Sequence, residues 1–488
     1  MFRKKQRKAC LNLIIHGHLP ILTWIGFGCA VFFIRLINNN SLHHSNSVEP
    51  EWRVPSAPEE EKHMVMVTLN QTVQSSNFLT IDELSQSIDC SEESSYSSEE
   101  VKQRTAQFLS PSQILARTSD CDNYFTIIKT FGLAPFLESE MEYPLAFSHG
   151  VHTQPGLLEL FLSLTFRPMD SHCIHIDAKA SDEVQSAILG IVKCYNYRFK
   201  KANVFVAKHS IPVFWGHHSV LDIDLMCMRQ LREAPRSQQK WRAILNPAGT
   251  ELPLKSINTI RQIIFSKREN IIPIHHSINA NRQATRFKLT RYGPGQYHLW
   301  NERVESCPKG PPPFNITVLK GSKNVILTRE FVDFVLEDPI AIELYNWLKD
   351  TSVPDEHFYS TLATLEIEYI AATSARSVSQ NMNMLQSNEE ARQPKGICFR
   401  ESLWGHSGCK GKNIHSICNF AMGDLEELKK SICFTGNKFN LEVDPVAPIC
   451  IYKDVRHKTK LDRWREWKEN ELDKRNGVPE EPEPEENA

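Results

Sequence analysis

The chain has 488 residues, 41% of them hydrophobic, enough for two to four domains or one large domain with appendages. Its 56 basic and 58 acidic side chains leave a net charge of −2, without the basic surplus of a dedicated nucleic-acid binder. Gly 20 and Pro 27 exclude a collagen-like or wholly disordered chain, while 13 cysteines point to metal sites or to an oxidising compartment.

The first segment chooses between those two. Residues 1–10 open with five basic side chains and no acid, and an apolar stretch follows over 11–37, densest at LPILTWIGFGCAVFFI (19–34). Roughly 20 apolar residues span a bilayer, and the flank Arg35-Leu36-Ile37-Asn38 offers no small-residue cleavage site. The pattern predicts an uncleaved signal anchor with residues 1–10 cytosolic and the rest luminal; a removed signal peptide would give the same compartment. Residues 38–88, rich in Asn, Ser, Glu and Pro, read as a luminal stem. Three sequons begin at Asn39, Asn70 and Asn315. No C-x-x-C pair occurs, so disulfides are expected rather than structural zinc.

Dense apolar periodicity runs from about Tyr124 to Ile451. Strands are predicted at Pro144–Gly150 (PLAFSHG), His172–Ile176 (HCIHI), Asn203–Ala207 (NVFVA) and Trp241–Leu245. Helices are predicted at Gly156–Phe166, Asp182–Cys194, Ser219–Leu231 and Ile257–Phe265. Alternation of this kind means βαβ units and an α/β domain with a mostly parallel central sheet. Ligands of such sheets bind beyond the carboxyl ends of the strands, where Asp177 stands. A catalytic domain is assigned to residues 89–458. The last segment, 459–488, reads as a charged tail without fixed structure, although KLDRWREWKENELDK (460–474) could form an exposed helix.

Motifs for other chemistries are missing. There is no G-x-S-x-G, no Walker loop and no G-x-G-x-x-G. Histidine pairs (149/152, 172/175, 217/218, 275/276) lack H-E-x-x-H context, and no metal site is assigned to them. The one D-x-D, Asp222–Asp224, falls in a predicted helix, where residues i and i+2 do not share a face, so it is read as structural. Pro354-Asp355-Glu356 precedes an amphipathic run. Helix capping accounts for one of its carboxylates, and a general base would account for the second.

Several short segments then combine in order: PLAFSHGVH (144–152), HCIHIDAK (172–179), the 215–228 region, LNPAGTELPLKS (245–256), GSKNVILTREF (321–331), PDEHF (354–358), SICNFAMGDL (416–425), GNKF (436–439) and VRHK (455–458). Together, over about residues 88–458, they resemble the core-2/I-branching β-1,6-N-acetylglucosaminyltransferase family, which also contains the peptide-O-xylosyltransferases. The resemblance implies a GT-A-like fold and an inverting transfer from a UDP-sugar without a divalent metal or other cofactor. It implies Glu356 as the base that takes the acceptor hydroxyl's proton. Gly150, Val151, His152, Asp177 and Trp215 match donor contacts, with Trp215 standing where the family has tyrosine; ordinary core packing is the other reading of Trp215.

Lys438 matches one of two basic residues that hold the diphosphate, but His415 stands at the position of the other, an arginine. A histidine is charged over only part of the pH range in which arginine stays charged, so weaker diphosphate stabilisation and a steep pH dependence are expected. On the acceptor side Arg286 matches an arginine, Gln283 replaces a lysine, and Asp355 adjoins the base. Lys323-Asn324 replace small and aromatic residues after Gly321. The resemblance also implies the disulfides Cys90–Cys450, Cys121–Cys194, Cys173–Cys227 and Cys409–Cys418. Cys307, Cys398 and Cys433 are left over, with Cys307–Cys398 one pairing open to them.

The expectation is thus a Golgi, single-pass type II transferase that moves N-acetylglucosamine from its UDP donor onto O-glycan acceptors of glycoproteins, with no nucleic-acid partner. The rivals are the same fold using UDP-xylose or UDP-glucose, and an inactive glycan-binding relative. A membrane-anchored hydrolase lacks a nucleophile motif.

Overall fold

Strand Leu145–Val151 (β1) is buried at every position but Gly150, and Ser171–Ile176 (β2) at all six. A strand covered on both faces shows this continuous run rather than polar alternation. The computed structural model describes residues 78–91, 98–130, 138–199, 203–234, 240–277, 286–293, 296–302, 309–373, 397–405 and 408–471. The proposed anchor, most of the stem, Asn39, Asn70, Gln283 and Cys307 lie outside them. Among the described residues, no helix is long and apolar enough to cross a membrane.

Around β1 and β2 are Asn203–Val206 (β3), Ala243–Leu245 (β4) and, after the short strand Leu252–Pro253 (β5), Ile326–Thr328 (β6). The sheet order is β6-β4-β1-β2-β3, parallel throughout except for β6. A second sheet joins Cys398–Glu401 (β7), Cys433–Gly436 (β8) and β5. The architecture is therefore α/β with a mostly parallel central sheet, as expected from the alternating pattern.

Helices cover both faces. Ile81–Gln86 (α1) opens the described chain with a capping box, in which Thr80 receives the Glu83 amide and returns its own amide to the Glu83 carboxylate. Pro155–Thr165 (α2) is buried along its whole length. Its Glu159 is neutralised by Arg117, whose Nε donates at 2.9 Å, and takes the Tyr124 hydroxyl at 3.0 Å. Asp182–Arg198 (α3) and Ser219–Glu233 (α4) follow β2 and β3; Ile257–Lys267 (α5) anchors Arg261, which grips buried Asp170 with two nitrogens at 2.8–2.9 Å. Phe358–Thr373 (α6) and Ala447–Glu471 (α7) complete the framework.

Three sequence expectations need correction. Cys398 pairs with Cys433, not with Cys307, because β7 and β8 run parallel and place the two cysteines directly opposite each other. The other four disulfides, Cys90–Cys450, Cys121–Cys194, Cys173–Cys227 and Cys409–Cys418, are formed as expected. The folded unit begins before residue 89, since Ile81, Leu84 and Ile88 enter the core and Arg456 holds Asp82 at 2.9 Å. It also continues past 458: α7 runs to Glu471, with Thr459 buried, Asp462 taking the Thr259 hydroxyl and Glu466 taking the Asn258 amide. Residues 472–488 lie outside the described chain.

Candidate active site

The carboxyl ends of β1, β2 and β4 converge on one set of loops. Beyond β4 the chain folds directly against the end of β1: the Gly249 amide donates to the Gly150 carbonyl at 3.1 Å. A Cβ on Gly249 would stand 2.7 Å from that oxygen, so the approach requires glycine. Val151 is buried at the strand end and His152 is exposed just past it.

Asp177 follows β2 and is buried. Its Oδ1 takes the Lys179 amide at 2.8 Å and its Oδ2 the Val213 amide at 3.3 Å, with the Lys179 ammonium 3.4 Å away. The carboxylate thereby organises the loop that presents Trp215, which is 82% exposed. That exposure sets aside the core-packing reading of Trp215. The next residue, Gly216, has φ +76° and its carbonyl takes the Val353 amide at 2.9 Å. This bond ties the tryptophan loop to the loop leading into α6.

Val353 is left-handed, Pro354–Glu356 forms one 3₁₀ turn, and α6 starts at Phe358. The turn separates two adjacent acids. The Glu356 side chain is 32% exposed, with the Lys320 ammonium 3.6 Å from Oε2. Asp355 is only 8% exposed, and among the described residues no hydrogen bond reaches its Oδ1. Burial pushes the Asp355 carboxyl up to about 7; Glu356 and Asp224 push the same way, and the Lys323 ammonium opposes them.

Behind this pair lies a buried polar network that the sequence did not announce. Asp224, on α4, takes the Ser148 hydroxyl and the Asn246 amide group at 2.9 Å each, and pairs with Lys323 at 3.0 Å. Asn246 in turn takes the Val325 amide at 2.8 Å. Asn324 donates to the Asn246 carbonyl at 2.9 Å and to Glu251 at 3.0 Å, and Glu251 also meets Arg400 and the Thr435 hydroxyl. The only signal in the sequence was the unusual Lys323-Asn324 pair after Gly321.

The two carboxylates of the D-x-D have different partners. Asp222 takes the Tyr345 hydroxyl at 2.6 Å and lies 2.7 Å from His218 Nδ1, while Asp224 serves the network just described. The two carboxylates sit on a helix with separate partners. Among the histidines, His149 and His172 meet at 3.2 Å inside the sheet, where burial pulls His149 down to about 3, and His175 takes the Ile211 amide.

On the other side of the strand ends, Lys438 is half-buried, and its backbone bonds to Cys418 and Phe420. His415 sits at the exposed tip of the hairpin that contains Cys418, in a two-residue turn where His415 and Ser416 both have positive φ (53° and 65°), the type I′ pattern. Gln154 bridges this region to the end of β1, donating to Asn440 at 2.8 Å and accepting the Leu441 amide at 3.0 Å. Thr250 donates to Asn437 at 2.9 Å. Of the acceptor residues, Arg286 begins a hairpin strand, Arg286–Gly293, opposite Glu302. Asn315 is exposed at a left-handed position.

The Core-2/I-Branching enzyme family profile matches residues 145–429. A mouse N-acetyllactosaminide β-1,6-N-acetylglucosaminyl-transferase is 31% identical over 67% of this chain and 76% of its own length. Its human counterpart is 29% identical over 66% of this chain and 74% of its own. Human β-1,3-galactosyl-O-glycosyl-glycoprotein β-1,6-N-acetylglucosaminyltransferase 3 is 28% identical over 74% and 78%.

Proposed function

This chain belongs to the core-2/I-branching enzyme family and is a glycosyltransferase, and we propose that it moves N-acetylglucosamine from UDP-N-acetylglucosamine onto a hydroxyl of an O-glycan in β-1,6 linkage. The sheet with its ligand loops beyond the strand ends is read as a GT-A-type fold. The observation that carries the reading is the split acid pair: Glu356 stands half-exposed on a fixed turn while Asp355 is withdrawn.

In the proposed reaction, a Glu356 oxygen takes the proton of the acceptor hydroxyl. The acceptor oxygen bonds to the anomeric carbon as the bond from that carbon to the diphosphate oxygen breaks on the opposite face, inverting the centre. UDP leaves with the bonding electrons, and fixed positive charge from Lys438, aided by His415 when protonated, offsets the developing charge. Trp215 and the loops of Gly150–His152 and Asp177 are assigned to the donor, and the resemblance assigns Gln283 and Arg286 to the acceptor. Separate engagement of Asp222 and Asp224 supports a route without a divalent metal. The basic start and apolar 11–37 segment support a type II anchor in the Golgi membrane with this domain luminal.

The test uses residues 38–488 with EDTA, a panel of UDP-sugars including xylose and glucose donors, and O-glycan acceptors. Transfer is expected from UDP-N-acetylglucosamine and is expected to fall by about 10²–10⁴-fold in Glu356→Gln with donor binding kept. Transfer that survives this substitution refutes the assignment of the base. Binding without transfer across the panel favours the inactive relative, to which His415 and Gln283 also point.

A further inference from the structure

Glu356 shares its turn with a cation. The Lys320 ammonium lies 3.6 Å from its Oε2, and both side chains are half-exposed. Ion pairs this open to water add little to folding stability, because solvent screens the attraction and two long side chains lose freedom. The backbone that presents Lys320 is nevertheless held on both sides.

Lys320 is the middle residue of the short strand Leu319–Gly321, which runs antiparallel to Ile274–Ser277. Its neighbours are tied to the first turns of α6, the helix that starts two residues after Glu356. The Leu319 amide donates to Thr361 Oγ1 at 3.0 Å. The Leu319 carbonyl faces Nδ1 of buried His357 at 2.9 Å, and because a carbonyl only accepts, Nδ1 carries the hydrogen. Ser360 Oγ lies 3.3 Å from that carbonyl and 3.3 Å from the carbonyl of Glu356, so its single hydrogen is within reach of strand and turn alike. Gly321 packs so closely that a Cβ there would stand 2.7 Å from Ser360 Cβ. The charges divide along the same segment. Three residues beyond Lys320, the Lys323 ammonium pairs with fully buried Asp224 at 3.0 Å and opposes the upward push on Asp355. One stretch of chain thus gives an inner lysine to the buried acids and an outer lysine to the half-exposed one.

We propose that Lys320 is a positioning residue for the transfer: its ammonium holds the Glu356 carboxylate from the Oε2 side, so that the carboxylate meets the acceptor hydroxyl in one orientation. Lys320 keeps its own protons and moves none. A lysine stem is long and flexible, and anchoring the backbone on either side of it is what makes its ammonium a fixed point. A base acts only from within hydrogen-bond reach of the proton it removes, and a small misplacement lowers the rate rather than the binding. The proposal rests on the reading of Glu356 as the base.

The experiment compares Lys320→Met, which keeps much of the stem and removes the charge, with Lys320→Arg, which keeps the charge. Both are measured beside wild type and Glu356→Gln in residues 38–488, with UDP-N-acetylglucosamine and an O-glycan acceptor that the wild type turns over. The expected result for Lys320→Met is a kcat about tenfold lower, with KM for donor and acceptor each within about twofold. Lys320→Arg is expected to return kcat to within about threefold of wild type, a rescue that a merely structural role would not show. Thermal midpoints within about 2 °C of one another exclude a folding cause. An acceptor KM that rises at constant kcat puts Lys320 on the substrate and overturns the proposal, as does an arginine variant no better than the methionine one. An unchanged kcat in Lys320→Met, while Glu356→Gln loses transfer, refutes the proposal alone. Transfer that survives Glu356→Gln refutes the base, and the proposal with it.

Discussion

Replacing Asp355 by asparagine is expected to stabilise the protein at neutral and alkaline pH while changing little at acid pH. The carboxyl is buried, has no hydrogen bond at Oδ1 among the described residues, and is pushed from an ordinary 3.8 to about 7, chiefly by burial. Below 3.8 the folded and unfolded chains both hold the proton, and the group contributes nothing to the pH dependence. Between 3.8 and 7 the folded chain holds a proton that the unfolded chain has released, so stability falls as pH rises. At about 1.4 kcal/mol per pH unit, the loss reaches about 4 kcal/mol and stays constant above the upper value. Asparagine copies the shape of the neutral acid and carries no proton to lose. Urea unfolding of wild type and Asp355→Asn under non-reducing conditions, at steps from pH 4 to 8.5, reads the difference directly. The expected curve climbs by about 1.4 kcal/mol per unit and flattens near pH 7. A difference that does not vary with pH would refute the buried-acid account, whatever its size.

Trp215→Ala is expected to raise the donor KM severalfold while moving stability by less than about 0.5 kcal/mol, because the indole is almost wholly exposed; parallel donor titration and unfolding check it. Gly321→Ala would set a Cβ 2.1 Å from the Pro273 carbonyl and 2.7 Å from Ser360 Cβ, so a loss of about 1–3 kcal/mol or more is expected on unfolding, with lower secreted yield. His415→Arg is expected to raise activity most at the alkaline end and flatten the pH–activity profile, since a guanidinium stays charged where an imidazole does not. Parallel profiles in the two proteins would remove His415 from the diphosphate site.

The strands and helices that carry the site were legible because their signals are local. HCIHI and PLAFSHG are apolar runs buried on both faces, and the helices between them repeat at helical spacing. The helical placement of Asp222 and Asp224 followed from the same periodicity, and their separate partners agree with it. What stayed hidden depends on distant partners. Nothing near Cys398 announces that β7 will lie parallel to β8, which alone brings Cys433 opposite. The end of α7 reads as solvated charge, yet Asp462 and Glu466 find hydroxyl and amide donors on α5 and its cap. α1 is too short to show periodicity against a polar background, and its place in the core is fixed by packing and by Cys90–Cys450. The network through Asp224, Asn246 and Glu251 is drawn from residues whose polar type alone gives no role.

The proposed displacement requires loops, the least constrained parts of a fold, to hold reacting groups to about 0.5 Å. Each functional loop is braced by a partner far away in the sequence. The Trp215 loop is bonded to the Glu356 turn through Gly216 and Val353. The end of β1 is bonded to the Lys438 loop through Gln154, with Asn440 and Leu441 as partners, and Thr250 joins Asn437 from a third direction. Lys438 rests by its backbone on the hairpin closed by Cys409–Cys418. Donor-side and base-side loops are therefore each tied down by hydrogen bonds of long sequence separation. Cutting one link, as in Gln154→Ala, should loosen the Lys438 loop, the proposed diphosphate end, without touching a proposed reacting atom. It should lower kcat more than it weakens UDP binding, whereas a uniform loss in both would mean that Gln154 serves only the fold.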